Sequence, residues 1–264
     1  MARKTTSDIN IQLPQGKKAF FVSDLHLGSP SYEDSRKREM KFVKWIKQHS
    51  EETGALFLLG DVFDYWFEYR YVVPKGYTRL FGAIAELADR GVNIYFFGGN
   101  HDLWTKDYFE KEMGMSTFRN TVRATINGKK FLLGHGDGLG PKDYGYKLLK
   151  RIFEARLSRI FFSWLHPWTG NLLATSFSRG SRKANQSKSN RQESQQNINI
   201  YIEKMLNGEY FDYFIFAHRH QPIVKEFKSK GEKTSKYLNT GDWLSHYSYG
   251  VYDGHDLLLK TSEQ

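Results

Sequence analysis

Apolar residues along this chain gather in short runs, and several of those runs end in polar side chains capable of chemistry. Residues 17–23 contain Ala19-Phe20-Phe21-Val22, which reads as a buried strand ending at Asp24. Residues 55–59 and 93–97 read as two more strands. Between the first two, Met40, Val43, Trp45 and Ile46 recur at helical spacing over residues 39–47. Between the second and third, Leu80, Ile84 and Leu87 mark a helix over residues 77–90, closed by Gly91. Strand–helix–strand at this spacing predicts a parallel sheet built from βαβ units.

The pattern then changes. Residues 121–126 and 129–134 flank Asn127-Gly128, a strong hairpin signal. Further strands are expected at 213–216, 223–227, 236–239 and 248–252, and at 256–260 after the Asp253-Gly254 turn. Pairing thus passes from parallel to mostly antiparallel, which fits an α/β fold of two mixed sheets packed face to face with helices outside, an α/β/β/α sandwich. Residues 143–206 interrupt it. Leu149, Ile152, Phe153, Leu157, Ile160, Phe161 and Trp164 lie on one side of a helical pattern with basic residues opposite. An aromatic stretch around Pro167-Trp168, a polar run over 178–199 and another helix near Ile200 follow. The expected organisation is a core of residues 1–142 and 207–264, with a helical lid inserted at 143–206 beside the active site.

Composition narrows the chemistry. Of 264 residues, 39% are hydrophobic and 16% aromatic, enough for a sizeable core, so global disorder is excluded. The chain has no cysteine, which removes disulfides and thiolate metal sites and leaves His, Asp, Glu and Asn as ligands. No apolar run follows the basic N-terminus, so no signal peptide is read, and no stretch is long and apolar enough to span a bilayer. A reducing cytoplasm is compatible with this. The net charge is +10, and between Lys142 and Arg191 eleven Lys/Arg face only Asp143 and Glu154, leaving +9 there. Such a field attracts phosphate, nucleic acid or an anionic membrane surface.

Five short motifs carry the chemistry. Asp24-Leu25-His26 follows the first strand, Gly60-Asp61 the second, and Gly99-Asn100-His101-Asp102 the third. Gly134-His135-Gly136-Asp137 follows the hairpin, and Ala217-His218-Arg219-His220 follows residues 213–216. Ligands in open α/β sheets collect at the carboxyl ends of strands, so these groups converge. Oxygen ligands and neutral imidazoles together suit divalent manganese, iron or zinc, and a carboxylate such as Asp61 can bridge two cations. His101 is placed to donate a hydrogen bond or proton to a leaving oxygen, with Asp102 orienting it. Asp64 and Asp137 are expected to be structural or to support ligands.

The set resembles the calcineurin-like metallophosphoesterase superfamily over most of the chain outside the insertion. The resemblance implies two metal ions, manganese foremost, with iron or zinc as alternatives. Asp24, His26 and His220 would hold one, Asn100, His135 and His218 the other, and Asp61 would bridge. One departure is Ala217-His218-Arg219-His220, where Gly-His-Thr-His is common; both imidazoles are kept.

Asp24-Leu25-His26-Leu27, the run from Gly60 to Trp66, and Gly241-Asp242-Trp243 are similar to the UDP-2,3-diacylglucosamine hydrolase branch of lipid A synthesis. That branch cleaves a sugar-nucleotide diphosphate to UMP and a lipid monophosphate, and carries a lid where this chain has residues 143–206. The run from Ser181 to Ser189 resembles the lid segment that contacts substrate, so Ser181, Arg182, Asn185 and Lys188 are the expected substrate-binding residues. Basic residues beside Phe161, Phe162, Trp164, Leu165, Trp168, Leu172, Leu173 and Phe177 suit an amphiphile, and a peripheral place on the cytoplasmic face of the anionic inner membrane. His101 departs from the branch, which has Arg there, and leaves room for a neighbouring specificity. Two alternatives stay open: a nuclease or nucleotide phosphodiesterase of the same superfamily, and a non-catalytic scaffold on this fold. No nucleic-acid recognition motif is seen, and no nucleic-acid partner is expected.

Overall fold

The computed structural model describes residues 8–141, 144–173, 176, 188–229, 231 and 233–262, without the side chains of 188–194. In chain order the elements are β1 (Ile9–Ile11), β2 (Lys18–Val22), α1 (Tyr32–His49), β3 (Thr53–Leu58), α2 (Thr78–Asp89), β4 (Asn93–Phe97), α3 (Tyr108–Met113), β5 (Ser116–Phe118), β6 (Val122–Ile126) and β7 (Lys129–Leu133). After them come α4 (Tyr144–Glu154), α5 (Arg156–Ser163), α6 (Lys188–Gly208), β8 (Tyr213–Phe216), β9 (Ile223–Lys228), β10 (Thr234–Asn239), β11 (Ser248–Tyr252) and β12 (Leu257–Thr261).

Two six-stranded mixed sheets form, in the orders β12-β11-β2-β3-β4-β5 and β1-β6-β7-β8-β10-β9. Side-chain alternation along each strand sorts the core into layers. Phe20 and Val22 of β2 point outward to Phe42, Trp45, Leu80 and Ile84 of α1 and α2. Ala19 and Phe21 point inward to Phe131, Leu133 and Ile215 of the other sheet. On the far side, Phe214 and Phe216 meet Ile198, Ile202 and Leu206 of α6. The α/β/β/α sandwich is thus as expected.

Three details differ from the sequence expectation. The second sheet keeps three parallel pairings, β1 with β6, β7 with β8, and β8 with β10. Helix α1 starts at Tyr32, where Ser31 accepts from the Asp34 amide at 3.1 Å as an N-cap. The expected insertion boundary near 206 falls inside α6, whose Ile198, Ile202 and Leu206 are buried with Phe214 and Phe216 of the second sheet. Helices α4 and α5 dock on the core through aromatic rings: Phe162 lies 4.5 Å from Trp104 and 4.8 Å from Phe67, and Trp104 Nε1 donates to the Phe153 carbonyl at 2.9 Å.

Candidate metal centre

The loops leaving β2, β3, β4, β7 and β8 bring all seven expected ligands to one end of the sandwich. Asp24, His26, Asp61 and Asn100 come from the first sheet; His135, His218 and His220 come from the second. Asp24, His26, Asp61, His218 and His220 all have positive φ, between 44° and 69°. That left-handed backbone is costly for residues with a Cβ and concentrates where function demands it. Here it turns each chain sharply out of its strand, so that side chains alternating along a sheet reach a common point.

Three overlapping groups have ligand atoms within 4.8 Å of one another: Asp24 with His26 and His220, His26 with Asp61 and His101, and Asp61 with His135 and His218. Asp61 is common to two of them. Its Oδ2 is 3.3 Å from His135 Nε2, 3.7 Å from His26 Nε2 and 4.0 Å from His101 Nε2, while its Oδ1 accepts from the His101 amide at 2.9 Å. Asn100 Oδ1 lies 3.3 Å from His135 Nε2. Asp24 Oδ2 accepts from Ser23 Oγ and the His218 amide, at 2.6 and 3.1 Å. Asp24 Oδ1 is buried with no hydrogen-bond partner among the described residues and faces His220 Nε2 at 3.4 Å. A buried carboxylate oxygen left unmatched, opposite imidazole nitrogens that crowd at 3.2 to 3.3 Å, is the donor set a cation would complete. The residues therefore fit divalent metal ions.

The imidazoles are aimed from behind. His135 Nδ1 donates to the Leu59 carbonyl at 2.8 Å, and His26 Nδ1 lies 3.3 Å from Asp64 Oδ1. His220 Nδ1 faces Asp242 Oδ2 at 3.6 Å. Asp242 is itself fixed: its Oδ1 accepts from the amides of Leu244, Ser245 and His246, and its Oδ2 meets His246 Nδ1 at 3.0 Å. Such partners set the tautomer and aim of a ligating imidazole. Asp242→Asn should therefore weaken metal affinity about 10- to 100-fold, read by calorimetry on the metal-free protein; unchanged affinity would contradict this role.

Asp102 does not orient His101. Its carboxylate lies in a cage of backbone amides, accepting from Gly99 at 2.7 Å, Val62 at 2.8 Å, and Asp61 and Phe63 at 3.2 Å. It fastens the β3 and β4 loops together, with burial and then the Asp61 charge raising its pKa to about 7. The neighbour of His101 is Asp64, whose carbonyl is 3.2 Å from Nδ1 and whose Oδ1 is 3.8 Å from it. Sequence spacing pointed to Asp102 because it is adjacent to His101, but consecutive residues in this loop face different ways. Asp137 meets Tyr146 at 2.6 Å and Lys150 at 2.7 Å. Ser181, Arg182 and Asn185 lie outside the described residues, and Lys188 begins α6.

Charge balance in the metal-free centre is uneven. Burial pulls the His135 and His26 imidazoles down, but neighbouring carboxylates outweigh it and carry them up to about 10 and 9, Asp61 acting most strongly on His135 and Asp24 on His26. Burial would raise Asp61, yet His135, His101 and His26 hold it well below the ordinary carboxylate range. Burial, with the His135 charge, pushes His218 down to about 3. Because coordination requires neutral imidazoles, metal binding at pH 7.5 should expel about two protons, from His26 and His135. Calorimetry in buffers of different ionisation enthalpy reads that number, and release of none would refute the charge assignment. Both groups titrate higher folded than unfolded, so their contribution to metal-free stability is complete below 6.5 and lost as pH rises through about 9 and 10.

A two-sheet sandwich with this convergence of carboxylates and imidazoles defines a metal-dependent phosphoesterase, and the chain belongs to the calcineurin-like phosphoesterases, whose family model matches residues 17–222. More particularly, it is 37% identical over 265 aligned positions to a UDP-2,3-diacylglucosamine hydrolase of Porphyromonas gingivalis, an alignment covering 93% of this chain and 98% of that one. A UDP-2,3-diacylglucosamine hydrolase of Aeromonas salmonicida is 29% identical, covering 86% of this chain and 87% of its own. Among solved structures, a phosphoesterase from E. coli covers 92% of both chains at 14% identity and a TM-score of 0.45.

Proposed function

We infer that the chain hydrolyses the diphosphate of UDP-2,3-diacylglucosamine, releasing UMP and 2,3-diacylglucosamine 1-phosphate in lipid A synthesis. The observation that carries this reading is the near full-length match to a relative of that name, which includes the insertion as well as the core. In this reading Asp24, His26 and His220 would hold one divalent ion and Asn100, His135 and His218 a second, with Asp61 serving both sets; manganese is the first choice, with iron and zinc as alternatives. When bound, the ions supply Lewis acidity that activates water and neutralises charge developing on the phosphoryl oxygens.

The chain's own groups do the rest. Asp61, held from behind by the His101 amide, fixes the spacing of the two ligand sets. His101 Nδ1 donates a hydrogen bond to the Asp64 carbonyl, so Nε2 is the atom turned to the site. Burial holds this ring below its ordinary pKa. A dianionic diphosphate beside it favours the charged form, and Nε2 then delivers its proton to the leaving oxygen.

The insertion supplies selectivity. Trp164 and Trp168 are 75% and 69% exposed, and Phe161 and Leu172 are exposed with them. Apolar side chains interleaved with the excess of Lys and Arg support contact with acyl chains and a peripheral place on the cytoplasmic face of the anionic inner membrane. No helix among the described residues is long and apolar enough to cross a membrane. Ser181, Arg182, Asn185 and Lys188 complete the proposed substrate contacts, within a lid that starts near residue 143 and ends where α6 meets the second sheet.

Product analysis tests the reading. UMP release from UDP-2,3-diacylglucosamine should exceed hydrolysis of cyclic nucleotides, single-stranded DNA and p-nitrophenyl esters by a wide margin; failure to do so removes the assignment. Lys188→Ala should weaken turnover of the lipid diphosphate about tenfold while sparing p-nitrophenyl esters. Equal loss on both substrates would contradict a lid role for Lys188.

A further inference from the structure

Helix α4 buries no residue fully, its apolar stripe included. A helix on a soluble domain buries its apolar stripe and exposes its charged one. Here Leu148, Leu149 and Ile152 are 61%, 46% and 50% exposed. Lys147, Lys150, Arg151 and Glu154, spaced i, i+3, i+4, i+7 on one face, instead line a cavity of about 280 Å³ between the helix and the core. Arg119, Asn120 and Thr121 form part of the opposite wall, together with the loop His135-Gly136-Asp137.

The cavity gathers four cations, Arg119, Lys147, Lys150 and Arg151, against the carboxylates of Asp137 and Glu154. Asp137 is already engaged by Lys150 and Tyr146. Positive charge is therefore in surplus along this cavity, where it attracts anions, and the cavity shares His135 with the metal centre. Lys147 and Lys150 are half-buried on the inner side of the helix while Leu148 and Ile152 are exposed on the outer side, and Arg119 and Arg151 stand exposed at the rim of the cavity. An anion in the cavity and an apolar phase outside would account for both faces at once.

We propose that this cavity binds the phosphorylated nucleoside arm of the substrate, with the phosphate against Arg119, Lys147 and Arg151. The assignment deepens the function inferred above and rests on it for the identity of the base. Its volume lies near the lower limit of about 300 Å³ usual for small-molecule sites, which suits a mononucleotide and not an arm bearing two acyl chains. The cationic lining likewise favours the nucleotide arm.

The test uses the full-length, metal-loaded protein, with UMP and uridine as calorimetric probes. The paired exchange Lys147→Gln with Arg151→Gln should weaken UMP about tenfold or more, and uridine, which carries no phosphate for these cations to hold, by less than about twofold. Leu148→Ser with Ile152→Ser, on the other face of the same helix, should keep the UMP affinity and so separates cavity lining from helix integrity. Equal losses for both probes, an unchanged UMP affinity, or the same loss in the outer-face variant would each overturn the assignment. Turnover of UDP-2,3-diacylglucosamine is measured alongside. Turnover with UMP binding indifferent to the cavity exchanges removes the cavity assignment alone. Absent turnover removes the substrate reading, while UMP binding that still depends on the cavity retains it as a phosphonucleoside site.

Discussion

Asp61→Ala should abolish turnover on every phosphoester, a loss of about 1,000-fold or more in kcat/KM. Two features lead to this. Asp61 Oδ2 faces three imidazoles, so its removal takes a contact from both proposed metal sites at once. Alanine also cannot replace Oδ1 as acceptor for the His101 amide, and it fits a φ of 51° poorly. Asp61→Asn separates these effects. Asparagine tolerates left-handed backbone and keeps an acceptor for that amide, while losing the charge. It should therefore fold like the parent and still lose most activity. In that variant the pKa of His135 falls, because the Asp61 charge is the strongest influence raising it. An Asp61→Asn enzyme with a tenth of parental activity would show that the negative charge is not needed.

Gly99→Ala should be nearly as damaging, although it adds a single methyl group. A Cβ there would lie 2.2 Å from Asp61 Oδ1 and 2.5 Å from the Asp61 amide nitrogen. Neither is the free end of a flexible side chain. The β3 loop must move, and with it the carboxylate common to two ligand groups. Displacements of about 1 Å in a catalytic constellation cost about 100-fold, and forced overpacking costs about 1–3 kcal/mol of stability. The same exchange at Gly82, where a Cβ meets nothing within 4 Å on helix α2, should instead raise stability by about 0.5–1 kcal/mol. Thermal melts and steady-state rates on the two variants check both signs; a harmless Gly99→Ala would mean that the loops are looser than drawn here.

The positions of the site were legible in the sequence because each ligand follows an apolar run. Val22, Leu59, Phe97, Leu133 and Phe216 close such runs, and strand ends in this architecture point to one rim. What supports the ligands was not legible. Asp242 stands far from His220 in the chain, and its motif was noticed without any sign of what it touches. Asp102 was misassigned because adjacency in sequence outweighed the backbone turn that sends its carboxylate to four amides. Short elements escaped for a different reason. β1 and β5 have three residues each, too few for alternation to register. The start of α1 was missed although Ser31 and Asp34 carry a capping signal, since the polar first turns hid the helical period. In α4 the spacing defines an apolar and a basic stripe, and only packing shows that neither is fully buried.

One feature of the centre bears on more than catalysis. The proposed ligands are drawn from both sheets, four from one and three from the other, so the ions would clasp the open end of the sandwich. Protein joined in this way has no single stability; its resistance to unfolding rises with the free-ion concentration around it. An ion present at 100 times its dissociation constant contributes about 2.7 kcal/mol. Scarcity of metal would then remove activity and also shorten the lifetime of the chain, because the unfolded fraction open to proteolysis grows as the clasp empties.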